Sequence, residues 1–558
     1  MNINPKDGGT VNERPVTQRL NRAGRAAKLH GDLACWFVTF TLLFVMCVLH
    51  FWKLNAIPKG FSLDEASEAY NAYCIAQTGA DEYGTSYPMF FQAFGTYHDP
   101  AIVYALAPFM NVFGLRQDAA RIPSALFSVL AALAFGLLAY EYCRNRWLAL
   151  LGVASFSTAP WIFPISRTVS SYIPMLFGLV CGWWLLLLAF RKRRCWLGVA
   201  AGLSWALAMY SDNVGRPMTV IWLVCFGLAF NRLLLARWKV GLTFALSYVG
   251  AMVPMILSVM RFPGQLTARF RMVSAFQGQL GAAQILKGLA VRYLDYFSPQ
   301  FLFFTGDHEL RHHTGFGGEL SLFIIPLILV GILHVLRFWR TQPHYRFLAL
   351  ALLVYPAAAA LTIDRMHSIR CSNGVIAWLL LATVGARALW RLKRVGRKLL
   401  VVICAAGFIE GGAYFTDYFG PYQTRCRKEF QTGFTEAIAY CFDRIDSHRV
   451  YYVSGSVGTT CSVSLDTDFK PFVYAYLLFY GRIDPRVYQH GGFSNTVVRP
   501  YLEEIDQPGL LLRCNYRPET QGTKFLAITN LESVPDRAKL LAIFRDDPLE
   551  YQVFEVTP

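Results

Sequence analysis

Apolar runs of about 20 residues recur from Leu33 to about Phe415, each long enough to cross a hydrocarbon layer roughly 30 Å thick. No other feature limits the fold as strongly. Of the 558 residues, 54% are hydrophobic and 16% charged, and a soluble fold could not hide so many apolar side chains without a very large core. The chain therefore reads as an all-α polytopic membrane protein with about eleven transmembrane helices plus interfacial helices. After about residue 421 the character changes to mixed polarity with no long apolar run. Three parts follow: a basic tail at 1–32, a transmembrane domain at 33–421, and a soluble domain at 422–558.

Basic residues orient the spans. Arg14, Arg19, Arg22, Arg25 and Lys28 precede the first run, and Arg144 with Arg146, Arg191–Arg194, Arg232 to Lys239, Arg337 to Arg346 and Arg387 to Lys398 follow alternate later runs. Placing every block in the cytoplasm satisfies the positive-inside rule. The N-terminus is then cytoplasmic, the C-terminal domain extracytoplasmic, and the location a multi-pass inner (plasma) membrane. Ala101–Gly114 is too short to span comfortably and reads as an interfacial helix. Met272–Phe304 is amphipathic in parts and is expected on the same surface. The first run is longer than a signal-peptide core and lacks a small-x-small site, so it reads as an uncleaved anchor.

The net charge of +17 is spread over these short blocks, with no basic stripe and no nucleic-acid-binding motif, which argues against a nucleic-acid partner. Neither GxxxxGK[ST] nor GxGxxG after a strand is present, so neither ATP-driven transport nor a dinucleotide is indicated. Of the 13 cysteines, those inside apolar runs are packing residues. Cys426, Cys441, Cys461 and Cys514 fall in the outer domain, and their pairing is open.

With this orientation the outer loops, chiefly 53–121 and 261–318, hold nearly all the acidic and histidine chemistry. Phe61-Ser62-Leu63-Asp64-Glu65-Ala66 opens a helix with Ser62 as cap and two acids in the first turn. Such a pair is common for helix-dipole reasons alone; the functional alternative makes Asp64 a general base toward an attacking hydroxyl. Gly306-Asp307-His308-Glu309-Leu310-Arg311-His312-His313 is rich enough in donors for a metal or a phosphate, although its spacing fits no standard metal set and a solvated turn explains it equally. Arg167, Arg216, His367 and Arg370 stand in short outer turns beside hydrocarbon, where a charge is functional or anchors lipid headgroups. Converging arginines suit a lipid-linked phosphate, whose oxygens accept bidentate contacts. Asp466-Thr467-Asp468 is a DxD triplet in the outer domain, where nucleotide sugars are scarce, and reads as a turn.

Together these pieces resemble the GT-C polyprenyl-phosphate-sugar glycosyltransferases, in the branch of the protein O-mannosyltransferases and the lipid A aminoarabinose transferases. Asp64-Glu65-Ala66, His98-Asp99-Pro100 and Ala120-Arg121-Ile122-Pro123-Ser124 carry the likeness, with weaker echoes at Ser166-Arg167, Gly306–His312 and His367–Arg370. The resemblance implies a GT-C-like body over about residues 30–415, Asp64 as catalytic base and Glu65 as its acidic neighbour. His98 stands where relatives place a basic residue near the donor phosphate, but His-Asp-Pro departs from their His-Pro-Pro or Glu-Lys-Pro. Arg216, Arg311 and Arg370 are candidates to stabilise the leaving phosphate, with Asp99, Arg167, Asp307, His308, His312 and His367 as further substrate contacts. The donor would be one sugar, mannose or a related hexose or pentose, on a polyprenyl monophosphate. Transfer would invert the anomeric carbon, toward a hydroxyl of a protein, glycolipid or cell-wall polymer. No cofactor is required on this reading, no residue is assigned to a metal, and room remains for a divalent ion.

The domain from about Tyr422 reads as α/β, with strands at Arg449–Val457, Gly509–Cys514, Phe525–Thr529, Leu540–Arg545 and Tyr551–Val556 and a helix at Phe469–Tyr480. It carries no catalytic set and is expected to cover the site or recruit the acceptor. A flippase for a lipid-linked sugar is the competing reading. It would call for broken helices and ionisable groups deep in the spans, whereas here they cluster at span ends on one face. A passive scaffold would leave Asp64 and the loop histidines without a purpose.

Overall fold

The computed structural model describes residues 14–94, 96–276, 281–443, 450–453, 473–490, 504–507, 510–513, 525–529, 538–546 and 549–556. Two compact units are present, Met1–Leu49 and His50–Pro558. The first is built on the long helix Arg14–Phe51, whose apolar part begins at Asp32.

Seven helices among the described residues are long and apolar enough to cross a membrane: Asp32–Phe51, Gln117–Cys143, Tyr172–Lys192, Gly215–Ala236, Trp238–Arg261, Gly374–Arg391 and Lys393–Phe419. Pro100–Phe113, Arg146–Ser157, Cys195–Ser211 and Leu322–Phe338 are apolar but shorter. The protein is an integral membrane protein with the expected helical body. Seven long helices are fewer than the eleven expected; Arg146–Ser157, Cys195–Ser211, Leu322–Phe338 and Pro343–Val354 are apolar but too short to count among them. Small residues let neighbours approach closely, as apolar helices in lipid require. A Cβ on Gly385 would lie 1.9 Å from the Leu327 carbonyl oxygen, so the helix Ile325–Phe338 packs directly on the backbone of Gly374–Arg391.

At one end of the bundle the loop 52–60 runs as irregular backbone whose carbonyls need donors. Two fully buried arginines supply them. Arg121 donates to the carbonyls of Leu54 (3.0 Å), Pro58 (2.8 Å) and Gly60 (2.8 Å). Arg167 donates to those of Trp52 (2.6 Å) and Ile57 (3.1 Å) and lies against the rings of Tyr418 and Phe419. Beyond this loop come the helix Leu63–Thr78, the antiparallel pair Phe91–Ala93 and Thr96–His98 in register Phe91↔His98, and the helix Pro100–Phe113.

The C-terminal region holds a six-stranded mixed sheet in the order Glu504–Gln507, Leu510–Arg513, Val450–Val453, Phe525–Thr529, Leu549–Val556, Ala538–Asp546. Val450–Val453 is parallel to both its neighbours and the remaining pairs are antiparallel. The α/β character matches the sequence reading, with Glu504–Gln507 as a strand it did not anticipate. This region is not a separate globule. Phe434, Ile438, Tyr476, Phe479 and Val553 share one apolar cluster with Phe61, Ala66, Tyr70, Ile102 and Leu106 of the first loop. Gly60 marks the seam: at φ +79° a Cβ there would lie 2.4 Å from the Phe430 carbonyl oxygen, which accepts from the Phe61 N–H at 3.0 Å. Cys426 and Cys441 are buried here, whereas Cys461, Cys514 and the triplet Asp466–Asp468 lie outside the described residues.

Candidate active site

Asp64 owes its position to its neighbour. Ser62 caps the helix Leu63–Thr78 by accepting from the Glu65 N–H, and the Glu65 carboxylate reaches back to the Ser62 N–H at 2.9 Å. Glu65 also accepts from Arg121 (2.9 and 3.1 Å) and from the Val169 N–H (3.0 Å), all inside the protein. Successive helical side chains diverge by about 100°, so anchoring Glu65 inward turns Asp64 outward. Asp64 is 57% exposed, on the wall of a cavity of about 900 Å³. Glu68, four residues on, shares that face and lines the same cavity.

Elements distant in sequence close the cavity around this face. His98 ends the strand Thr96–His98, and its Nδ1 lies 3.5 Å from a Glu68 oxygen. Asp99 precedes Pro100 at the start of the next helix and makes a close ion pair with Arg216, in the first turn of Gly215–Ala236. Arg216 also donates to Asn213, and its guanidinium lies over the Phe90 ring. Arg311 stands across from Asp64, with Nη1 3.9 Å from the carboxylate, and binds Glu309 at 2.9 Å. Arg370 pairs with Asp364 (2.6 Å) and Arg365 with Asp295 (2.7 Å). Arg269, on the short helix Ala268–Val273, lines the cavity with no ion-pair partner among the described residues.

The electrostatics sort these acids. Loss of hydration works to raise the pKa of Asp64, but His98, Arg311, Arg269 and His312 together hold it below the usual carboxylate range. Burial pushes Glu68 well above its ordinary value, reinforced by Asp64 and Asp99. Burial also lifts Asp99 to about 7, with Asp212 adding to the lift and Arg216 opposing it. An ionised Asp64 thus faces an arginine-rich wall, beside a Glu68 that burial drives toward its protonated form.

Of the residues picked from sequence, Asp64, His98, Asp99, Arg216, Asp307, His308, Arg311, His312, His367 and Arg370 all line this one cavity. Two do not. Glu65 is spent on Arg121 and the helix cap, and Arg167 on the carbonyls of the 52–60 loop. Both satisfy buried backbone groups. Sequence reasoning missed Glu68, Asp212 and Arg269. The i,i+4 spacing from Asp64 was a usable signal for Glu68; Asp212 and Arg269 had none beyond their loops.

The family described as dolichyl-phosphate-mannose-protein mannosyltransferase matches residues 97–257, a stretch that includes His98, Asp99 and Arg216 but not Asp64. No curated protein matches the chain in sequence. Among solved structures, ArnT from Cupriavidus metallidurans bound to undecaprenyl phosphate is similar at TM-score 0.53 and 13% identity, over 93% of this chain and 99% of that one. Its apo state gives 0.53 and 14%, over 95% and 100%. The apo oligosaccharyltransferase of Archaeoglobus fulgidus gives 0.47 and 14%, and this chain spans 62% of its length while matching over 75% of its own. The chain thus has the GT-C membrane fold and, within residues 97–257, matches the dolichyl-phosphate-mannose-protein mannosyltransferase family.

Proposed function

We propose that the protein is a membrane glycosyltransferase that moves one sugar from a polyprenyl-phosphate donor to a hydroxyl acceptor on the extracytoplasmic face, with Asp64 as general base. The single observation that carries this reading is the pairing of an open, ionised carboxylate with a wall of arginines. Asp64 faces Arg311 at 3.9 Å, and Arg216, Arg269, Arg365 and Arg370 line the same cavity. A lipid phosphate needs such charge stabilisation when it leaves, and a hydroxyl nucleophile needs a base beside it.

On this reading the acceptor oxygen attacks the anomeric carbon from the side opposite the phosphate. The carbon–oxygen bond to phosphate breaks with its electron pair going to the phosphate oxygen, the acceptor proton passes to Asp64, and the configuration inverts. The depressed proton affinity of Asp64 fits a resting state in which Arg311 and Arg269 act on it before any phosphate binds. A bound phosphate would cancel their charge and raise Asp64 toward the strength of a useful base. Mannose or a related hexose or pentose is the proposed sugar. A protein, a glycolipid or a cell-wall polymer is the proposed class of acceptor. Residues 422–558, which share a core with the first loop, are proposed to shape the acceptor side, and the basic span ends to face the cytoplasm of a plasma (inner) membrane.

The test is an in vitro assay with polyprenyl-phosphate mannose, purified full-length protein and Asp64→Asn as control. Transfer by the wild type that the substitution abolishes supports the enzyme. Movement of the sugar lipid across vesicles without any transfer would replace this reading with a flippase.

A further inference from the structure

A second constellation in the cavity wall has its own chemistry. Asp307, His312 and His367 come from two loops and offer ligand atoms that all lie within 4.8 Å of one another. We propose that these three side chains bind a divalent transition-metal ion, zinc or one of similar preference, with the fourth position open to the cavity. The proposal rests on this geometry and does not depend on the reading of Asp64.

The distances are the first argument. His312 Nδ1 and His367 Nδ1 lie 3.5 and 3.7 Å from the same oxygen of Asp307. Both are too long for good hydrogen bonds, and both nitrogens are buried with no hydrogen-bond partner. A tetrahedral shell with metal–ligand bonds near 2.0–2.1 Å has edges of about 3.3 Å, so the two Asp307–histidine distances already approach that length, and the third edge, within 4.8 Å, would have to close by side-chain rotation. The two rings already lie side by side, with centroids 4.9 Å apart.

Preorganisation is the second. The Asp307 carboxylate accepts from the Glu309 N–H at 2.9 Å and the Ser368 N–H at 2.7 Å, so each ligand loop donates to it. Glu319 takes the Asp307 N–H at 2.9 Å and the Ser368 hydroxyl, which ties the two loops together behind the carboxylate. A Cβ on Gly306, at φ +63°, would lie 2.7 Å from His313 Nε2, so the turn before Asp307 calls for glycine.

Charge and donor chemistry are the third. The nearest arginines carry their own acids, Arg311 with Glu309 and Arg370 with Asp364, which leaves Asp307 without an arginine partner among the described residues. Imidazole nitrogens and a carboxylate oxygen are the donors that such a metal takes. Two nitrogen donors favour zinc, cobalt or nickel over magnesium or calcium, which prefer oxygen. All three ligands line the cavity, so solvent or a substrate oxygen can reach the open position.

The test uses purified full-length protein, stripped with chelator and titrated with cobalt(II) in the absence of any donor lipid. The expected result is one cobalt per chain, with the intense visible bands of a low-coordinate imidazole site, displaced by zinc and untouched by magnesium. Asp307→Asn and His367→Ala should each weaken binding at least about tenfold, whereas His308→Ala, in the same loop and outside the triad, should not. Equal affinity in wild type, Asp307→Asn and His367→Ala would overturn the site. If the variants fail to fold, the wild-type spectrum decides: the pale bands of solvated octahedral cobalt sink the proposal, and bands of low-coordinate, nitrogen-ligated cobalt uphold it. Because no sugar donor is present, the result is independent of whether the chain transfers sugar.

Discussion

Glu65 and Arg121 form a fully buried ion pair, Oε1 to Nε at 2.9 Å and Oε2 to Nη2 at 3.1 Å, and this pair fixes the first turn of the helix on which Asp64 stands. Removing one partner of such a pair leaves an uncompensated charge in the interior, at a cost of about 3–5 kcal/mol. Glu65→Gln should therefore lower the thermal midpoint by several degrees and reduce folded yield in detergent. A Glu65→Gln protein as stable as the wild type would show that the pair contributes nothing.

Arg269 should matter for binding rather than for the chemical step. It has no acidic partner among the described residues, so its removal breaks no ion pair within the protein. Arg269→Ala is expected to raise KM for a polyprenyl-phosphate donor about 10–100-fold, the worth of a hydrogen bond to a charged group, with a smaller change in kcat. Steady-state kinetics at varied donor concentration would read the split.

The Asp99–Arg216 pair should leave a signature in pH. Burial lifts Asp99 to about 7 in the folded protein from an ordinary 3.8, so the native state keeps this proton to higher pH than the unfolded chain. The native advantage from Asp99 is then fully present below about pH 4 and declines as pH rises toward 7. Thermal melts at a series of pH values between 4 and 8 should show wild type losing stability with a steeper slope than Asp99→Asn. Parallel curves would mean that Asp99 does not titrate in that window.

Gly60 admits no side chain. A Cβ there meets the Phe430 carbonyl oxygen at 2.4 Å in a left-handed backbone, so Gly60→Ala should cost about 1–3 kcal/mol. The damage should appear where the first loop meets the C-terminal region, as faster proteolysis after residue 421 than in the wild type.

Truncation after Gly420 should do more than impair acceptor use. Phe61, Tyr70 and Ile102 would lose Phe434, Tyr476 and Phe479 from their shared cluster, exposing apolar surface on the first loop. The shortened protein is expected to aggregate or melt far below the full chain in size-exclusion and thermal assays; a monodisperse truncation of unchanged stability would contradict this.

Particular residues show what the sequence made legible. The spans followed from length and polarity, and Asp64 from its place in a capped first turn. Glu65 was expected at the site from the acidic pair and Arg167 from its place beside hydrocarbon, and neither lines the cavity. Their real partners, a span residue and the carbonyls of an irregular loop, are set by tertiary contact and leave no local pattern. The shared core was hidden for the same reason, since Phe61 and Phe479 are far apart in sequence yet their ring centroids lie 4.7 Å apart. Glu68 was readable from its spacing and was overlooked beside the more conspicuous acidic pair.

The stretch that follows the last long helix also grips the histidine-rich loop. Tyr422 donates its hydroxyl to the Leu310 carbonyl at 2.5 Å, and Arg425 donates to that of Thr314 at 2.8 Å. Residues 422–425 are thus a handle on the segment bearing Arg311 and His312: a pull on one must either snap two bonds or drag the other along. The loop that aims Arg311 at Asp64 is thereby moored to the beginning of the C-terminal region.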